Sequence, residues 1–231
     1  MTLDTSSART VASTLAHDIR ADIISGELAP GTRLRIKDLC LRYDSGAIPL
    51  REALSRLATS GFVVAEDQRG FRVADISSEE LIDITDTRVH IECEALRRSI
   101  ASGGLDWEER VAGTHYRLNR LVMRTPDGQG LSPEWEQAHA AFHAALISGS
   151  GSRWLITLAG ILRDQTARYR HLSIGWTPDG AHSHDQARDV TVEHDMLKDA
   201  ALARDAKQAE HLLSEHLQET SRWVLAQYGK R

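Results

Sequence analysis

Residues 33–71, RLRIKDLCLRYDSGAIPLREALSRLATSGFVVAEDQRGF, hold two helical patterns and a β-rich hairpin in close succession. Leu50, Ala53, Leu54 and Leu57 recur at i, i+3, i+4 and i+7, the apolar stripe of a helix, which leaves Arg51 and Ser55 on a different face. A shorter helix over roughly 37–43 turns Leu39 and Cys40 inward, and Asp44-Ser45-Gly46 supplies the tight turn between the two. This is helix-turn-helix spacing. Gly61 stops the second helix, and Phe62-Val63-Val64 and Phe71-Arg72-Val73 are β-rich runs around residues 66–70, a two-stranded wing with Arg69 at its tip.

A winged helix of this kind suits double-stranded DNA, because a helix fits the major groove and Lys or Arg near its entry neutralise phosphates or reach base edges. Between Arg33 and Arg56 six basic residues (Arg33, Arg35, Lys37, Arg42, Arg51, Arg56) face three acidic ones (Asp38, Asp44, Glu52). The same pattern is open to a plainer reading as a solvated amphipathic helix pair.

Composition narrows the classes. A chain of 231 residues favours two domains over one. The net charge of −5 excludes a wholly basic nucleic-acid coat. Residues 1–75 carry ten basic and ten acidic side chains, leaving 18 basic and 23 acidic for the rest, so DNA-binding charge is confined to the N-terminal part. No apolar run approaches a membrane span and the N-terminus lacks a signal-peptide core, so a cytoplasmic protein with no membrane partner is expected. Cys40 and Cys93 fall in predicted helices of different domains and are expected to be reduced.

Along the chain, residues 1–8 are polar and expected to be mobile. A helix follows from Thr10 to Gly26, with Val11, Leu15, Ile19 and Ile23 on one face, then a Pro30-Gly31 turn. Beyond a short linker near Asp75-Ile76 the chain reads as helical almost throughout. Ser77-Ser78-Glu79-Glu80 is a capping box for a helix reaching Gly103-Gly104. Further helices are expected over 106–123, from Ser132-Pro133 to Gly149, over 154–172, 185–203 and 206–228, with a loop at 175–180. The expected fold is mainly α: a winged helix-turn-helix at 8–75 and an all-α bundle at 77–228.

ADIISGELAPGTRLRIKDL, PLREALSRLATSGFV and RGFRVADIS resemble the N-terminal winged helix of the GntR family of bacterial regulators. The resemblance implies operator contacts from Lys37 and Arg51, with Arg69 and Gly70 entering at the wing. Family members commonly have Ser-Arg or Thr-Arg where this chain has Gly46-Ala47, so a base-contacting arginine is absent. Arg42 or Arg35 compensates, or the operator is read differently. Operator binding as a homodimer is expected, since one recognition helix covers too little DNA for useful specificity.

Ten of the eleven histidines lie in the expected second domain. His139 and His143, four apart, project from one helix face, a spacing that fits metal chelation but equally fits ordinary core or surface histidines. WEQAHAAFHAAL, VEHDMLKDAALARD and AEHLLSEHL resemble the FCD effector domain of the FadR branch, in which an acidic residue and three histidines commonly hold a divalent metal in a helical bundle. That resemblance puts His143, His194 and His216 on the three histidine positions and His139 where aspartate is usual; His211 falls outside the set. Four neutral imidazoles suit zinc or nickel and disfavour magnesium or calcium.

With no carboxylate among the ligands, an anionic effector is favoured, and a dicarboxylate suits that need. Arg88, in an Arg-x-x-x-Glu pattern with Glu92, either anchors a carboxylate in a bidentate fork or forms an i, i+4 pair on the helix surface. Segments including GGLDWEERV and AFHAALISGSGSRWL resemble repressors of glutarate and 2-hydroxyglutarate catabolism, which points to those ligands among small mono- and dicarboxylates. Two rival readings stand beside this one. A metal-dependent hydrolase lacks support from any H-E-x-x-H, nucleophile elbow or phosphate loop, and Glu193, the one candidate base, faces about 100° away from His194. The other is a DNA-binding protein whose helical domain is purely structural.

Overall fold

The computed structural model describes residues 10–66, 69–127, 130–174 and 189–228. The chain divides into two compact units at Ile76/Ser77.

In the first unit, α1 (Val11–Ser25) begins where the Thr10 hydroxyl accepts from the Ser13 amide and ends at Gly26, whose φ of 86° is the left-handed cap that glycine adopts without strain. The short β1 (Arg33–Leu34) leads into α2 (Ile36–Arg42) and α3 (Ala47–Thr59). Leu50, Ala53, Leu54 and Leu57 are buried, and the α3 stripe packs with Leu15, Ile19 and Ile23 of α1 and Leu39 of α2 in one core. β2 (Val63–Glu66) and β3 (Gly70–Val73) pair antiparallel, Val63 opposite Val73 and Glu66 opposite Gly70. The wing is not two-stranded as expected. β1 joins it on the far edge of β3, Arg33 opposite Arg72, giving the order β1-β3-β2. Two residues are too few for a period-2 pattern to declare itself. Gly70 has φ 92° with nothing near a built Cβ, so backbone conformation rather than space favours glycine there.

The second unit consists, among the described residues, of six helices: α4 (Ser78–Ser102), α5 (Leu105–Leu118), α6 (Pro133–Ile147), α7 (Arg153–Ile174), α8 (Val190–Leu202) and α9 (Ala206–Tyr228). α4 packs on α6, α7 and α9, while α5 lies against α6 and α8. Only half of the expected capping box at Ser77 forms. Its hydroxyl accepts from the Glu80 amide at 3.0 Å, but the Glu80 carboxylate accepts from the Tyr169 hydroxyl, and the Ser77 amide donates to that same Tyr169 oxygen at 3.3 Å. α5 ends at Leu118 rather than near 123; the Asn119 side-chain amide donates to Asp195 at 2.9 Å, and Arg124 then forms a β-bridge with Leu131. The expected mobile segment 1–8 and loop 175–180, and the first residues of the helix expected over 185–203, lie outside the described residues.

Trp107 sits against Gly103 and Gly149, where any Cβ would press on its ring at 2.7 and 3.1 Å, and its indole N–H donates to the Ala145 carbonyl at 3.0 Å. Cys40 and Cys93 are free thiols, the latter pushed up to about 12 by burial. No helix among the described residues is long and apolar enough to cross a membrane.

Candidate metal centre and nucleic-acid interface

Four imidazoles from three helices converge in the second unit. His139 and His143 stand one turn apart on α6, His194 comes from α8 and His216 from α9, and their candidate ligand nitrogens all lie within 4.8 Å of one another. All four are buried. Trp135, a turn before His139, stacks on its ring at 4.7 Å between centroids and 12° between planes, fixing the ring plane. Burial, followed by the neighbouring imidazoles and Arg170, holds His139 well below the ordinary histidine range, and burial with His216, His194, Arg88 and Arg163 does the same for His143. Both rings are therefore neutral and offer lone pairs.

Nδ1 of His139 and both ring nitrogens of His143 have no hydrogen-bond partner among the described residues. Leaving a buried donor or acceptor unpaired costs about 1–3 kcal/mol. Two neutral, unsatisfied imidazoles, His139 and His143, converging with those of His194 and His216, fit a divalent cation with an affinity for nitrogen.

Glu193 completes the centre from outside. Its Oε2 lies 2.7 Å from Nδ1 of His216, which orients that ring toward the cluster. Its angular offset from His194 on α8 is as expected, but the partner it faces is a histidine on α9.

Arg88 lines the same pocket as His139, His143 and His216. The Arg88–Glu92 pair forms, Nε to Oε1 at 2.7 Å, yet the two side chains are only 4% and 1% exposed, so it is an interior pair and not the expected surface one. Two more arginines belong to this interior. Arg170 lines the pocket, its Nη2 donates to both Glu136 oxygens at 3.1 and 2.9 Å, and its Nε has no partner. Burial alone would raise the Glu136 carboxyl, but Arg170 and His171 bring it down to about 2. Arg163 is buried too, and burial lowers its affinity for its proton. Met123, Leu131, Trp135, Leu217 and Trp223 give the pocket an apolar wall. His211 is exposed beside Glu215, away from the cluster.

In the first unit, Arg33, Arg35, Lys37, Arg51, Arg69 and Gly70 are all exposed. Arg42 is committed within the fold: Asp22 accepts from its Nε at 3.0 Å and its Nη2 at 2.7 Å, and from the Tyr43 hydroxyl at 2.6 Å. The Glu52 carboxylate on the outer face of α3 is taken by Arg56 at 2.5 Å.

A winged helix followed by a helical bundle defines a class of DNA-binding transcriptional regulator. Residues 11–73 match the gntR family of bacterial regulatory proteins and residues 83–219 match the FCD domain. The chain belongs to the GntR family, in its branch with an FCD domain. It is 43% identical over 212 residues to the HTH-type transcriptional regulator BphR of Paraburkholderia xenovorans LB400, covering 91% of this chain and 83% of the relative. It is 37% identical over 199 residues to the HTH-type transcriptional repressor GlaR of Escherichia coli K12, covering 86% and 89%. Among solved structures, E. coli McbR/YncC superposes with a TM-score of 0.76 at 20% identity over 95% of this chain and 99% of that one. A GntR regulator from Rhodococcus sp. RHA1 gives 0.71 at 24% over 93% and 97%. At those identities the likeness concerns the fold alone.

Proposed function

We propose that this regulator is a repressor that binds operator DNA as a homodimer in the cytoplasm and is released by a small dicarboxylate bound in the helical unit. On this reading residues 8–75 are the DNA-binding domain and 77–228 the effector-binding and dimerisation domain. Arg51 and Lys37 contact the operator from the helix-turn-helix, Arg33 and Arg35 add charge beside them, and Arg69 and Gly70 contact it from the wing. His139, His143, His194 and His216 would hold one zinc or nickel ion, which when bound supplies a positive charge and open positions for an anion.

The observation that carries the reading is the charge balance of the pocket. Arg88 and Arg170 line the pocket, paired with Glu92 and Glu136, and Glu193 faces His216, so a divalent ion on the imidazoles would leave the pocket with excess positive charge. An incoming dianion restores the balance. Arg88, its Nε held by Glu92, orients one carboxylate, and the apolar wall suits a short methylene chain between the two. The resemblance to repressors of glutarate and 2-hydroxyglutarate catabolism selects five-carbon diacids. A ligand changes DNA affinity only through its differential affinity for two arrangements of the dimer.

Metal analysis of protein purified without chelator, followed by calorimetry with glutarate, 2-hydroxyglutarate, succinate and acetate on wild type and Arg88→Ala, tests it. One metal per chain and a preference for a five-carbon diacid that Arg88→Ala abolishes are expected; acetate binding as tightly as any diacid overturns the effector class.

A further inference from the structure

The first turn of α3, Ala47-Ile48-Pro49-Leu50, carries no polar side chain. Leu50 is fully buried, while Ala47 is exposed and Ile48 is 82% exposed. Ile48 shares a face with Arg51 and Ser55 at i, i+3 and i+7, opposite the buried stripe of Leu50, Ala53, Leu54 and Leu57. The exposed cation Arg51 lies on this same face. Scattered exposed apolar residues are ordinary, and Leu41 is nearly as exposed at 79%, but Leu41 lies on α2, the helix that in this architecture crosses the DNA backbone. Ile48 lies at the end of the helix that presents its N-terminal residues to base edges.

Base edges in the major groove offer donors and acceptors, which Ala47 and Ile48 cannot use, and one apolar feature, the C5 methyl of thymine. Arg42, one of the two arginines that would make up for the missing one, is already engaged by Asp22. We propose that Ile48 reads a thymine methyl in the operator half-site, replacing polar readout at the helix tip with an apolar contact. The inference rests on operator binding and is independent of the effector reading.

The test begins with selection of duplexes from a random pool by the full-length protein. Each thymine of the selected half-site is then replaced singly by deoxyuridine, which keeps Watson–Crick pairing and removes only the methyl. Burying one methyl corresponds to about fourfold in affinity, so one position per half-site is expected to lose about that factor with wild type and nothing further with Ile48→Ala. Because Ile48 is exposed, Ile48→Ala is expected to melt as wild type does, which separates a readout role from a folding one. Three results overturn the proposal: no thymine enriched in the half-site, wild type indifferent to every deoxyuridine, or Ile48→Ala retaining the same sensitivity. A loss of affinity in Ile48→Ala that is equal for thymine and deoxyuridine duplexes overturns it as well.

Discussion

Replacing His143 with leucine is expected to stabilise the metal-free helical unit and to remove most of its response to metal. His143 is 1% exposed and neither ring nitrogen has a partner among the described residues. Each unmade buried hydrogen bond costs about 1–3 kcal/mol, and fitting leucine into the space of the ring costs up to about 1.5 kcal/mol. With two such nitrogens a net gain of at least about 0.5 kcal/mol follows, or roughly 2–4 °C in Tm for each kcal/mol. With free metal at about 1,000 times Kd the wild type gains about 4 kcal/mol, whereas the variant, lacking one of four nitrogens, gains much less. The order of stabilities therefore reverses between chelated and metal-loaded samples. Scanning calorimetry on both proteins, following the transition of the helical unit with and without zinc, reads this directly. A chelated variant that melts at or below the wild type would falsify the claim that these imidazoles are held unsatisfied for a ligand.

Acidification supplies a second check. His139 and His143 sit well below the ordinary value of 6.5 in the folded chain, faced by His194, His216, Arg88, Arg163 and Arg170. Below that value the unfolded chain takes up protons that the folded chain refuses, so their contribution is fully present above it and is lost as pH falls. The slope is up to about 1.4 kcal/mol per unit for each histidine. Urea titrations of chelated protein between neutral and acid pH should show wild type losing stability faster than His143→Leu; parallel slopes refute this. Glu193→Gln is expected to weaken zinc binding about 10- to 100-fold by releasing His216, as read by competition with a chromophoric chelator, and unchanged affinity removes Glu193 from the centre. Arg51→Ala is expected to cost on the order of 1–3 kcal/mol in operator binding if it reads a base. An unaltered gel shift takes it out of the interface.

Periodicity made the recognition helix legible because its four stripe positions are all buried in one core, and local chemistry made several caps legible, since Thr10, Ser77 and Ser132 each accept from an amide three residues on. The half-formed capping box shows where local reasoning stops. Glu80 has the right spacing, but a tyrosine 89 residues later claims its carboxylate. The same limit governs the pocket. The four histidines were nameable through resemblance, whereas Arg170 with Glu136, 34 residues apart, and Glu193 with His216, 23 apart, are set by the packing of different helices. No spacing rule reports such pairs, and the angular offset of Glu193 from His194, correctly inferred, says nothing about which neighbouring helix it meets.

Tyr169 and Arg170 are consecutive on α7, so their side chains leave the helix about 100° apart. One reaches the opening turn of α4 through Ser77 and Glu80, and the other lines the pocket beside His139. If the proposed effector draws the arginine inward, a rigid turn carrying both contacts would act as a rocker and displace the hydroxyl that seats the first residues after the linker. The pocket and the start of the helical unit are thus joined by a single peptide bond, and Tyr169→Phe would loosen one end of that rocker while leaving every pocket side chain in place.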